Sequence, residues 1–275
     1  MGKKKKKVKS FVKGCTKFIE LLASSGEILL KKNSKLDISE QVKESVNGTI
    51  ISRLEAVPTK ENIVVDTKEN DYRNTITVDN STIMRVIDMN AEIDSVNELT
   101  VVIPMTKKKA KKFEENDTLY WLSKTSSFDA VMEKVYRDWK ELNEDDNSPY
   151  TNVLYVPKLY LFMDKYGKLR KTPVKVNLLI VALPSQKHAS SGIDVVEDTE
   201  YNNRIINDTV EAAIKVGAKN IVVDPYVMSA LQKDIHYTAT YWKGVMEKQR
   251  TIENIKKCIF ALENDNLYIV FCKTN

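Results

Sequence analysis

Five lysines within six positions are the residues of this chain whose type and spacing could do chemistry. They lie in the segment Thr106-Lys107-Lys108-Lys109-Ala110-Lys111-Lys112-Phe113-Glu114-Glu115, and no glycine occurs between Gly48 and Gly167. Lysine ammonium groups can bind phosphate as point charges. Glycine would instead let the backbone approach a pyrophosphate, because it has no Cβ and tolerates positive φ. The candidate phosphate contacts are Lys107, Lys108, Lys109, Lys111 and Lys112, and the favoured alternative is a lysine loop exposed to solvent.

The amino-terminal segment concentrates positive charge that the rest of the chain lacks. Residues 1–17 hold eight lysines and no acidic residue. Removing these eight from the 43 lysines and arginines leaves 35 basic residues against 38 acidic ones, although the whole chain has a net charge of +5. Such a block typically binds nucleic acid or another acidic surface. The candidate binding residues are Lys3, Lys4, Lys5, Lys6, Lys7, Lys9 and Lys13.

A helical pattern follows the first lysines. The apolar residues at 8, 11, 12, 15, 19 and 22 recur at helical spacing, with lysines between them. Packing on the chain's own domain or on a partner is favoured over a membrane-surface helix, because Gly14 interrupts the pattern. Residues 1–60 are therefore expected to form a basic arm, an amphipathic helix and an irregular extension, with a strand possible at 49–53.

Composition and residue spacing exclude several classes of site. No apolar run approaches the roughly 20 residues that cross a bilayer, and no secretory signal is recognisable. The three cysteines have no metal-ligand spacing, and Cys258 and Cys272 lie in apolar segments that indicate core thiols. His188 and His236 lie in different segments and are expected to be surface or structural residues. We therefore expect an intracellular protein with no metal and no cofactor.

An alternation of short strands and helices begins near residue 62. Strands are expected at 63–65, 75–78, 99–103, 153–162, 174–183, 220–223, 258–262 and 268–271. Helices are expected at 81–91, 126–142, 201–216 and 239–249, and Ser126 with Asp129 forms a capping-box pattern. Strands separated by helices predict a three-layer α/β domain over residues 61–275.

Three polar segments of this domain bear on its function. Basic and aromatic residues interleave over 158–171, with Tyr160, Phe162 and Tyr166 among them. This pattern suits a nucleic-acid surface, but a β-hairpin with a solvated tip is favoured. The polar segment 185–192 follows an apolar strand and could hold a modified binding site. The acidic cluster of Glu141, Glu144, Asp145 and Asp146 is interpreted as a solvated turn, because it lacks the glycine of a calcium loop.

Three segments, taken together and in order, resemble the macrodomain family, specifically the microbial-type poly(ADP-ribose) glycohydrolases. The first is 118–123 after Glu114-Glu115, and the second is 150–158, which begins Tyr150-Thr151. The third runs from 176–184 through the helix at 203–216 to 221–223 and ends in 259–262 and 268–271. The resemblance covers residues 62–272. It implies a mixed sheet between helices, with ADP-ribose in a cleft at the strand ends.

The same resemblance implies where the catalytic and phosphate-binding residues would lie. In that family a glycine stretch precedes a Gln-Glu-Glu motif whose second glutamate is the general acid. Here Glu115 matches that position by register, with Glu114 before it, but the glycine stretch is absent. The second phosphate loop is also without glycine, since 224–230 follows the strand at 220–223 and Gly244 is the next glycine. Both losses argue against ordinary ADP-ribose binding.

The sequence as a whole favours a non-enzymatic structural or interaction protein on a degenerate macrodomain-like scaffold. A subunit of a large bacteriophage or viral assembly, in the host cytoplasm or the virion, would fit the lysine- and asparagine-rich composition. Its partners would be protein subunits, or nucleic acid bound through residues 1–17. One alternative is an ADP-ribose-binding protein or glycohydrolase with an atypical pocket. Another is a nucleic-acid-binding accessory protein.

Overall fold

The computed structural model describes residues 38–54, 74–93, 99–111, 117–164, 166–184, 195–225, 231 and 234–274. The chain divides into two compact units, residues 1–43 and 44–275. The lysines of the arm and the strand expected at 63–65 lie outside the described residues.

The described residues form one mixed seven-stranded sheet. Its strands are β1 Ile50–Leu54, β2 Thr75–Asp79, β3 Leu99–Thr106, β4 Thr151–Met163, β5 Leu169–Leu183, β6 Asn220–Val223 and β7 Lys257–Ala261. Their order is β1-β4-β5-β3-β6-β7-β2. Strands β5, β3, β6, β7 and β2 run parallel, whereas β4 is antiparallel to both β1 and β5. The mixed sheet expected from the sequence is confirmed, and β1 belongs to it although it falls within the segment expected as an extension.

Helices cover both faces of this sheet. They are α1 Ile38–Gly48, α2 Ile83–Ile93, α3 Lys107–Ala110, α4 Asp117–Thr125, α5 Phe128–Leu142, α6 Val195–Lys215, α7 Ile235–Met246, α8 Gln249–Asn254 and α9 Asp265–Thr274. One hydrophobic core joins α6, α7 and α9 to alternate strand residues such as Val102 and Leu179. A second core joins α2, α4 and α5 to the intervening residues, such as Val101 and Ile180. This period-two division explains why β3 is apolar at every position from 101 to 105 and β5 from 178 to 183.

The carboxyl-terminal segment expected as a strand at 268–271 is instead helix α9. Asn264 begins the helix, because its Oδ1 accepts the amide of Asn266 at 2.9 Å and that of Leu267 at 3.2 Å. A short apolar run fits either a buried strand or one face of a helix. The helical turn directs Phe271 into the core, with its ring centroid 4.4 Å from that of Phe260. It leaves Cys272 exposed, so the prediction of a core thiol is wrong for Cys272 and confirmed for Cys258.

Strand β3 continues beyond Pro104, where the sequence predicted its end. Pairing with β6 stops at Val102, opposite Val223, whereas pairing with β5 continues from Pro104 opposite Val181 to Thr106 opposite Leu183. Proline lacks the amide proton that a ladder needs on both sides of a central strand. Pro104 is tolerated because β6 has already ended beside it.

A polar network fastens α1 to a bulge in β4. The register of β4 against β5 shifts between Val156 and Leu159, and Lys158 within the bulge has a positive φ of 58°. Glu44 accepts hydrogen bonds from Lys158 Nζ and from the Tyr160 hydroxyl, each at 2.5 Å. Ser45 donates to the Lys158 carbonyl at 2.7 Å. These bonds stabilise a backbone conformation that a lysine rarely adopts.

Candidate functional site

Three adjacent parallel strands end at one edge of the sheet and define the candidate site. Strand β3 ends at Thr106, β5 at Leu183 and β6 at Val223. The chain leaves β3 towards β5 on one side and later returns on its other side as β6. In open α/β sheets a ligand binds outside the carboxyl ends of the strands at such a switch point. A ligand site at this edge would be lined by the segments that follow these three strands.

Residues 107–111, directly after β3, form a helical turn. Thr106 is the N-cap of α3, and its Oγ1 accepts the amide of Lys109 at 3.3 Å. The amide of Lys111 donates to the Lys107 carbonyl at 3.1 Å. Lys107 and Ala110 face inward and are fully buried. The amides of Lys109 and Lys111 are therefore used within the turn.

Lys107 is a buried cation at the end of the central strand. Its side chain is 0% exposed, and its Nζ donates to the Ser148 carbonyl at 2.9 Å. Burial lowers the pKa of Lys107, while the nearby carboxylate of Asp145 opposes that shift. The favoured prediction of a loop exposed to solvent is therefore wrong for Lys107. Its ammonium group is hydrogen-bonded to the turn that precedes β4.

Side chains of α5 and of the turn after it hold the rest of this segment. The Trp139 indole donates to the Ala110 carbonyl at 3.0 Å, and the Tyr136 hydroxyl donates to the Lys111 carbonyl at 2.9 Å. Lys111 Nζ donates to the Glu144 carbonyl at 2.8 Å and lies 3.0 Å from an Asp146 carboxylate oxygen. The acidic turn thus binds α3 instead of being only solvated.

The other candidate lysines and the glutamates have different outcomes. Lys108 and Lys109 are exposed on α3, so phosphate contacts through them remain a prediction. Lys112, Glu114 and Glu115 lie outside the described residues, in the chain between α3 and α4. The polar segment 185–192, with His188, also lies outside, as does 226–230 after β6. His236 is exposed on α7, as expected of a surface residue.

Contacts between α6 and the start of β4 form part of the site that sequence reasoning missed. Thr151 donates its hydroxyl proton to an Asp208 carboxylate oxygen at 2.5 Å, and Arg204 donates to the Pro149 carbonyl. The Tyr201 hydroxyl donates to the Pro184 carbonyl, directly after β5, at 2.9 Å. The signal in the sequence is Tyr150-Thr151, which belongs to the resemblance and whose Thr151 has a structural role here. The Cζ atom of Arg53 lies over the Tyr150 ring, 5.6 Å from its centroid.

Metal-ligand clusters and membrane-spanning helices are both absent from the part of the chain that is described. No group of three or more histidine, cysteine, aspartate or glutamate side chains could hold a metal ion there. Among those residues, no helix is long and apolar enough to cross a membrane.

Comparison with known proteins rests on structure. The sequence matches no protein-family profile and no curated protein. The fold is similar to that of a poly(ADP-ribose) glycohydrolase from Thermomonospora curvata, with a TM-score of 0.66 and 15% identity, covering 94% of this chain and 100% of that chain. A structure of the Deinococcus radiodurans glycohydrolase in complex with ADP-ribose gives a TM-score of 0.60 at 16% identity, covering 74% and 84%. At these identities the likeness establishes the fold alone, which is that of the bacterial poly(ADP-ribose) glycohydrolases.

Proposed function

We propose that this chain is a non-enzymatic interaction protein built on the glycohydrolase fold. The observation that carries the proposal is α3 itself, a packed helical turn with a buried lysine directly after the central strand. The resemblance implies a glycine-rich phosphate loop near this point in the family. A backbone committed to internal hydrogen bonds offers few amides to a pyrophosphate.

A general acid alone would not restore the reaction. A glutamate accelerates glycosidic cleavage only when the scissile bond is held beside it, because positioning supplies much of the rate enhancement. Glu115 follows a segment that is fixed to α5 through Trp139 and Tyr136. The second glycine-free segment, 224–230, weakens the phosphate site further.

The test is direct binding and turnover with the purified full-length chain. We expect no heat of binding with ADP-ribose by titration calorimetry at micromolar protein. We also expect no release of ADP-ribose from poly(ADP-ribose). Binding in the micromolar range, or release that Glu115→Ala abolishes, would overturn the proposal. Lys134→Ala, on the exposed face of α5, is a matched control for the effect of a single surface substitution.

A second candidate function is ADP-ribose binding or hydrolysis in an atypical pocket. The observation in its favour is the position of Glu114-Glu115, directly after the turn that follows the central strand of a glycohydrolase fold. In that case Lys108 and Lys109 would replace backbone amides as phosphate ligands. Their joint replacement by glutamate would then abolish ADP-ribose binding, whereas the non-enzymatic proposal expects no binding to lose.

The lysine-rich arm extends the interaction proposal to a class of partner. Protein subunits of a larger assembly, including a viral one, and nucleic acid both remain proposals. The support is the concentration of eight lysines within residues 1–17 on a chain that is otherwise mildly acidic.

A further inference from the structure

We propose that the outer half of the β4–β5 hairpin, here called the basic ribbon, is a binding surface for single-stranded nucleic acid. The basic ribbon comprises residues 158–164 and 166–175. It is distinct from the lysine-rich arm and from the carboxyl edge of the sheet.

The basic ribbon extends beyond the rest of the sheet. Pairing of β5 with β3 begins at Asn177, and pairing of β4 with β1 covers Thr151 to Tyr155 only. Among the described strands, the outer residues from Leu159 onwards pair only across the hairpin itself. Since β3 begins at the level of Asn177, the ribbon lies at the amino edge of the parallel strands. The candidate site described above lies at the opposite edge.

Basic residues outnumber acidic residues in the basic ribbon. Its residues include five lysines and arginines and one acidic residue, Asp164. Lys158 is paired with Glu44 and Arg170 with Asp88, which leaves three lysines on the surface. Asp164 is engaged in the turn, where its Oδ1 accepts the amides of Tyr166 at 2.9 Å and Lys168 at 2.8 Å. Lys168 and Lys171 are exposed, as is Lys175. A strand with this density of cations can follow a phosphate backbone.

An aromatic ring stands in the turn of the hairpin, two residues before Lys168. Tyr166 is 82% exposed, the largest exposure among the exposed large hydrophobic side chains of the described residues. Burial therefore does not explain a tyrosine at this position. Every base presents a π-face, so an aromatic ring flanked by lysines binds single strands with little regard for sequence. A duplex hides these faces by stacking, which is why the single strand is the better fit.

The ribbon is held rigidly enough to present these groups. Arg170 forms a buried ion pair with Asp88 of α2. The backbone amide of Ser127 donates to the Tyr160 carbonyl at 2.9 Å, and Ser126 bridges to Leu161. Gly167 takes a positive φ of 75° in the turn, where its amide donates to the Asp164 carbonyl at 2.9 Å. Preorganisation of this kind lowers the entropy lost on binding.

The test is fluorescence anisotropy with a labelled oligodeoxythymidine and the full chain, over a series of salt concentrations. We expect Lys168→Glu/Lys171→Glu to weaken binding about tenfold or more and to reduce the salt slope by roughly 1.4, the contribution of two phosphate contacts on a single strand. Tyr166→Ala should weaken binding by roughly 5- to 150-fold, and Tyr166→Phe should retain it because the ring remains.

Matched controls separate the ribbon from general charge and aromatic effects. Lys134→Glu/Lys140→Glu makes the same charge change on α5, and Tyr120→Ala removes a ring that is 58% exposed on α4. Both should leave affinity within about twofold of wild type, since neither site is on the ribbon. Unchanged affinity in the ribbon variants would overturn the proposal, as would equal losses in the controls. Tighter binding of the matching duplex, insensitive to Tyr166→Ala, would overturn the choice of single strands.

Discussion

At the residue scale, two buried cations are stabilised against the loss of hydration in different ways. Lys107 donates to the carbonyl of Ser148, whereas Arg170 forms an ion pair with Asp88, and the two side chains of that pair are 7% and 14% exposed. Burial lowers the pKa of both cations. A buried charge is tolerated only when a hydrogen-bond acceptor or an opposite charge lies within reach.

The first prediction concerns the ion pair of Arg170. Asp88→Ala should lower the free energy of unfolding by about 3–5 kcal/mol, because it leaves a buried guanidinium without its counter-charge. Urea denaturation measures the change. The double variant Asp88→Leu/Arg170→Met should lose less than Asp88→Ala, since neither charge is then buried alone. A loss in Asp88→Ala below about 1 kcal/mol, the range of a surface pair, would contradict the argument.

The second prediction concerns the pH dependence of Tyr160. Burial and the hydrogen bond to Glu44 raise the pKa of Tyr160 from 10.0 to about 12. Between these values the unfolded phenol has ionised while the folded phenol keeps its proton. The stability contributed by Tyr160 is therefore present below pH 10 and is lost as pH rises towards 12.

Tyr160→Phe tests this pH dependence. The difference in unfolding free energy between wild type and variant should shrink as pH rises through that window, measured by urea denaturation at a series of pH values. Tyr166→Phe at the exposed ribbon tip is the control for removing a phenol hydroxyl from the same hairpin. A difference in unfolding free energy between wild type and Tyr160→Phe that stays constant with pH would contradict the raised pKa of Tyr160.

At the element scale, α3 is the helix on which the proposed function rests. Its sequence has no glycine, its N-cap is Thr106, and its inward residues are fully buried. The helical turn depends on α5, because the Trp139 indole donates to the Ala110 carbonyl. Elements this short are stable only through tertiary contacts of this kind.

The third prediction tests this dependence. Trp139→Phe should destabilise the chain by about 1–3 kcal/mol, since it leaves a buried carbonyl without its donor. Hydrogen exchange should accelerate at the amides of Lys109 and Lys111, while the amides of β3 keep their protection. Trp121→Phe is the matched control, because no hydrogen-bond partner is found for its indole nitrogen among the described residues. Equal exchange in the two variants would contradict a specific role for Trp139.

Elements with a clear period or cap could be predicted from the sequence, and ambiguous ones could not. The helical spacing of apolar residues in α5 and the apolar run at 174–183 predicted a helix and a strand that the structure contains, although β5 begins earlier, at Leu169. The run at 268–271 did not, because four apolar residues satisfy a strand or a helix equally. The cap at Asn264 decides the outcome, and its effect depends on side-chain geometry.

At the scale of the whole molecule, positive charge is concentrated in two separate segments of a mildly acidic chain. Residues 1–17 contain eight lysines, and the basic ribbon contains five lysines and arginines, of which Lys158 and Arg170 are paired with acidic residues. Counterion release makes the contributions of such segments to the salt dependence approximately additive.

The fourth prediction follows from this additivity. Deletion of residues 1–17 should reduce the salt slope of oligonucleotide binding by about 0.7 for each phosphate contact that the arm makes. Anisotropy measurements on the deletion variant check this expectation. Residual binding should remain sensitive to Lys168→Glu/Lys171→Glu, since the ribbon is retained. An unchanged slope after deletion would exclude the arm as a nucleic-acid contact.

The sequence by itself determined the α/β alternation, the positions of most strands and the absence of glycine after β3. These features depend on local periodicity and residue type, which act over a few positions. Only the tertiary structure decided that Lys107 is buried, that the strand at Ile50–Leu54 joins the sheet, and that the hairpin extends beyond it. Each of these depends on partners distant in the sequence, such as Ser148 for Lys107 and β4 for β1. Pairing and burial across such distances are set by the packed core, and a local pattern does not encode them.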